Sequence, residues 1–113
     1  MSAHRQDLRI KPIEYRITMA TPIGARHGKL RLYREEYRLH GTLELLAHSE
    51  PFSGSIDADG HCTIRGCLVT LMRSMAYTAT GCISDQTVEL SLQGDRHVFP
   101  ITGCALPESE EQQ

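Results

Sequence analysis

Tryptophan is missing from this 113-residue chain, which carries only two phenylalanines and four tyrosines. So few rings leave little for a base-stacking nucleic-acid surface, and a formal charge of −2 supplies no overall attraction to polyanions. No apolar run approaches the roughly 18 residues of a membrane-spanning helix. The four cysteines form no C-x-x-C pair, and the opening MSAHRQDLRIKP has charges where a signal peptide would carry its apolar segment. Reduced thiols in a cytoplasmic protein are the expectation. Walker, dinucleotide and H-E-x-x-H patterns are all absent, and G-x-S-x-G fails because FSGSID lacks the second glycine. Helical periodicity is absent too, which excludes bundles and α/β folds.

What remains is alternation. Eight segments, near 13–20, 27–34, 37–46, 51–57, 61–72, 76–83, 87–93 and 97–104, alternate apolar and polar residues and end in turn chemistry. The repeat of about 11 or 12 residues per strand with its turn is that of all-β sandwiches and barrels. Short links make sequence neighbours pair antiparallel. The pattern predicts an all-β, eight-stranded, up-and-down meander over 11–106, closed or nearly closed into a small barrel by pairing of the last strand with the first. Residues 1–10 and the acidic 107–113 read as solvated tails.

The inward parity carries Ile13, Tyr15, Ile17, Met19, Leu30, Leu32, Tyr37, Leu39, Leu43 and Leu45, and later Phe52, Tyr77, Leu92, Phe99 and Ile101. On the same parity lie Gly28, Gly41, Gly54, Gly66, Gly81 and Gly103. Glycine weakens a strand, so an inward belt of six calls for a reason, and sharp coiling during barrel closure supplies one. This meander of Gly-x-aliphatic strands resembles calycin and streptavidin-like barrels in pattern. It has no Gly-x-Trp near the first strand, so the likeness implies a shape and transfers no function.

Three of the residues that follow those glycines are Cys67, Cys82 and Cys104, in places that Thr42 and Ser55 hold elsewhere. A two-residue turn at Ser74–Met75 would set Cys67 opposite Cys82. A three-thiolate zinc site lacks a fourth ligand, however, so small outer-wall residues are expected, with no metal and no cofactor.

The eight segments as drawn place no Asp, Glu, Lys, Arg or His inward, which argues against an enzyme. Two non-catalytic functions follow. Tyr15, Tyr37, Tyr77 and Cys62 would line one barrel mouth and bind a small, neutral, apolar or planar ligand. Alternatively, a basic outer wall would capture an acidic protein partner. Residues 1–38 hold nine of the twelve Arg and Lys, and simple registers align Arg16, Arg31 and His40 across the first three strands, with Arg38 beside them. Neither a nucleic acid nor a membrane is expected as a partner. The other histidines read as ordinary surface residues.

Overall fold

A computed structural model of the chain describes residues 12–45, 47–69 and 74–107. They form eight strands: β1 (Ile13–Thr21), β2 (Gly24–Glu35), β3 (Arg38–Leu45), β4 (His48–Ile56), β5 (His61–Val69), β6 (Ser74–Ile83), β7 (Thr87–Gln93) and β8 (Val98–Ala105). Each pairs antiparallel with the next, and β8 returns to β1 with Tyr15 opposite Ala105 and Met19 opposite Ile101. The meander is a closed barrel. No described helix is long and apolar enough to cross a membrane. The tail segments 1–10 and 108–113, and residues 70–72 at the end of the fifth expected strand, lie outside the described residues.

Local chemistry sets the turns. Asp57 Oδ1 accepts the N–H groups of Asp59 and His61 at 2.8 and 3.0 Å, and Gly60 takes φ 93°, which together fold the β4–β5 link. Ser84 Oγ does the same between β6 and β7, accepting from Gln86 and Thr87. These side-chain acceptors occupy backbone donors that no strand partner reaches.

Inside, twenty hydrophobic side chains are buried as one cluster, and no buried polar or charged residue accompanies them among the described residues. The glycine belt lies where the alternation placed it, for a reason that can be read in space. A Cβ at Gly28, Gly41, Gly54, Gly81 or Gly103 would land on a carbonyl oxygen of the adjoining strand: Glu44, Arg31, Thr63, Glu89 and Arg16 respectively. Coiling has brought the neighbouring backbone into the space a side chain would need.

Gly66 differs. It sits in the cross-strand row Gly41, Phe52, Gly66, Tyr77, where glycine and ring alternate over β3 to β6. Phe52 Cζ comes within 3.1 Å of a Cβ on Gly41, and the Tyr77 hydroxyl within 2.7 Å of one on Gly66. Each ring fills the vacancy left by its glycine neighbour, a pairing that stabilises sheets.

Four expectations need correction. Tyr37 does not point inward: β3 begins at Arg38, the Glu36–Tyr37 pair makes the turn with Glu36 at φ 57°, and Tyr37 is 61 % exposed. Ser74 and Met75 are no turn, for they pair with Val69 and Leu68 within β6. Cys67 therefore lies opposite Ala76, while Cys82 faces His61 and Glu89. The proposed basic row also dissolves, since Arg16 opposes Lys29, Arg31 opposes Glu14 and Thr42, and His40 opposes Tyr33. Finally, β2 and β4 start three residues earlier than the alternation indicated, which puts Arg26, His48 and Glu50 on the inward parity near one end.

Candidate functional site

The barrel has two mouths. At the first lie the β2–β3, β4–β5 and β6–β7 turns together with both ends of the described chain; at the second lie the β1–β2 and β7–β8 links and the adjoining ends of β3, β4, β5 and β6. Two of the four residues expected to line a ligand mouth, Tyr15 and Cys62, do meet at the first. Tyr15 is 0 % exposed, and its hydroxyl donates to the Ser84 carbonyl at 2.6 Å. Burial, then the charge of Asp85 and that of Cys62, push its pKa up to about 12. Burial likewise pushes the Cys62 thiol up to about 11, leaving it protonated and a poor nucleophile near neutral pH. Backbone bonds lace the rim: Ile56 N–H to Tyr37 O at 2.9 Å, Ile83 N–H to Gly60 O at 2.9 Å, Ala105 N–H to Gln86 O at 2.8 Å. Tyr37 contributes that carbonyl and leaves its ring outside. Tyr77 lies apart from this group, one inward layer below Met75, and its buried hydroxyl has no hydrogen-bond partner among the described residues.

The second mouth is different. A hollow of about 410 Å³ opens there, floored by Met19, Leu68, Met75 and Phe99. Three hairpins build it. Met19 ends the buried run of β1, Leu68 and Met75 are a directly opposed pair of β5 and β6, and Phe99 enters from β8. The His97 ring stacks along Phe99 at 5.9 Å with planes 5° apart. On the rim stand Arg26, Arg96, Asp95 and the β1–β2 turn, whose Ile23 is 79 % exposed. Arg26 is opposite Met19 across the strand pair, so it rises from the same inward register as the floor. Among the described residues neither Arg26 nor Arg96 enters an ion pair. The inward parity of 26, 28, 30 and 32 was the available signal for Arg26, hidden because TPIGA reads as a loop.

The outer wall has furrows of its own. One of about 560 Å³ runs between β7, β8 and β1 past Arg16, Glu89, Thr102 and Cys104; another of about 400 Å³ lies over Ser53, Ser55, Thr63 and Arg65. The first also touches Val88, Gly103, Ala105, Leu106 and Pro107, whereas the second is lined by polar side chains and Gly54. The residues expected to bind an acidic partner are dispersed over this wall. Arg31 binds Glu14 Oε2 through Nε at 2.9 Å and Nη2 at 2.6 Å, so an acid of this chain already takes its charge. His40 stacks on Tyr33 at 5.1 Å, and Arg38 opposes Glu35 and Ser55.

Asp57, Asp59 and His61 are the group of metal-capable side chains that comes together among the described residues, with ligand atoms within 4.8 Å of one another. All three are exposed, and the Asp57 carboxylate, held below its usual range chiefly by the His61 N–H, already closes the turn. Cys67, Cys82 and Cys104 are exposed free thiols on separate rows. No family model matches the chain, and no curated protein or solved structure matches it either.

Proposed function

We propose that this protein is a non-catalytic binding barrel that takes a small apolar or planar molecule at its second mouth. One observation carries the reading: the apolar hollow floored by Met19, Leu68, Met75 and Phe99 continues the buried core to the surface. Its volume falls at the small end of ligand pockets, and flexible methionines suit a floor that adapts to its occupant. Burial of ligand against that floor is favoured by removal of apolar area from water. The non-catalytic part rests on the buried core, where Tyr15, Cys62 and Tyr77 stay protonated and no charged residue is buried among the described residues. An aqueous setting, taken as the cytoplasm, is supported by the outward Arg16, Lys29, Arg31, Glu44, Arg65 and Glu89, since a lipid-facing barrel needs the reverse alternation.

The test is a titration with Nile red, a neutral planar dye. Saturable fluorescence enhancement at one site per chain is expected for the wild type, with loss in Met75→Glu and retention in Tyr37→Ala. Enhancement indifferent to Met75→Glu would place the dye elsewhere and overturn the reading.

A further inference from the structure

We infer that the second mouth selects amphipathic monoanions, a carboxylate head on an apolar body, over neutral molecules of the same size. The inference rests on the mouth being a binding site and adds the class of ligand it holds. Its basis is the placement of Arg26 and Arg96 on the rim of an apolar floor. Arg26 is half-buried and opposes Met19, so any molecule seated on the floor would cover part of its guanidinium. Covering a charge removes water from it, and a neutral apolar occupant returns nothing for that loss. A carboxylate does, because two planar N–H groups of a guanidinium match its two oxygens. The walls set the rest of the specificity. Met19, Leu68, Met75 and Phe99 offer an apolar body no hydrogen bonds, so the polar part must sit at the lip. His97, stacked along Phe99, adds a further ring edge beside the head.

The measurement is isothermal titration calorimetry of the full chain with octanoate and octanol, a matched pair differing in the head group. At low salt octanoate is expected to bind about tenfold more tightly, the range of one charge-assisted hydrogen-bonded contact. Arg26→Gln should bring the two to near equality without weakening octanol, Arg26→Lys should restore part of the preference, and Arg96→Gln should reduce it less. Circular dichroism on each variant confirms that the barrel is intact. Equal affinities in the wild type would overturn the anion preference and leave the mouth as an apolar site. Binding of neither probe would remove the mouth itself. A preference that survives the Arg26→Gln, Arg96→Gln double variant would show that these arginines do not read the head.

Discussion

The two mouths of this barrel end the same alternating strands in opposite ways. At the first, the last inward residue of β1 before the rim layer is Tyr15, long enough to reach a turn and give its hydroxyl to the Ser84 carbonyl. At the second, β1 ends its buried run in Met19, which reaches no polar partner and stops below the rim. A ring with a polar tip can close an end because its hydroxyl satisfies a backbone group there. A thioether cannot, and among the described residues a hollow remains there. One or two terminal side chains thus set the difference between a closed end and the end where binding is proposed, with the barrel wall in between unchanged.

The glycine belt is the feature both ends share, and breaking it should produce the largest effects. Gly81→Val is expected to cost about 3 kcal/mol, the upper part of the overpacking range, because its Cβ meets the Glu89 backbone, which can retreat only by deforming the sheet. Gly66→Val should cost less, about 1–2 kcal/mol, since its Cβ meets a side chain, Tyr77, at the closest point and the Pro51 carbonyl oxygen only at 3.1 Å. Adding Tyr77→Leu should recover part of the Gly66→Val loss in urea melts and none of the Gly81→Val loss.

Next in size is the seal of the first mouth. Tyr15→Phe leaves the Ser84 carbonyl without its donor and should cost about 1–3 kcal/mol in the same melts. Tyr77→Phe is the control on the other side of the comparison. Its hydroxyl has no partner among the described residues, so the change should be neutral or stabilising, by up to about 1 kcal/mol.

Alkali should loosen the same region. In the folded chain Cys62 and Tyr15 keep protons to about pH 11 and about pH 12, against ordinary values of 9.0 and 10.0. Above pH 9 the unfolded chain therefore releases protons that the folded chain retains. The stability from these groups is complete below pH 9 and declines as pH rises through 9–12. Melting temperature followed from pH 8 to pH 11 should fall, and the fall should be shallower in Cys62→Ala than in the wild type.

The smallest expected effect is at the outer wall. Replacing Cys67, Cys82 and Cys104 together by serine should shift the melting temperature by no more than the equivalent of about 0.5 kcal/mol, because all three are exposed. A stoichiometric metal lost together with stability in that variant would contradict the account of these thiols.

Strand number, order and closure were legible in the sequence because period-two alternation is long-range and redundant: a misplaced end leaves the face assignment intact. The inward glycines were legible for the same reason. Turn positions were not. EEYR has no glycine or asparagine to mark Glu36 as the residue with positive φ, so the turn moved one step and took Tyr37 outside. A β5–β6 turn at Ser74–Met75 would join Cys67 to Cys82, whereas the observed register sets Cys67 opposite Ala76. The second mouth depends on strand ends, where pattern is weakest: Arg26 precedes the first unmistakable inward residue of β2, and Ser74–Met75 reads as a turn. Tyr15 and Cys62 were correctly placed inside near one mouth, but no periodicity could tell that the Ser84 carbonyl would receive the hydroxyl.

The difference between the mouths is tested most directly by nuclear magnetic resonance during an octanol titration, reading the methyl groups of Met19 and Met75 against the amides of Tyr15 and Cys62. Saturable shifts at both methionines, with Tyr15 and Cys62 unmoved, are the expected result. Shifts centred on Tyr15 and Cys62, or no saturable shift at either end, would contradict the assignment of a sealed first mouth and a binding second one.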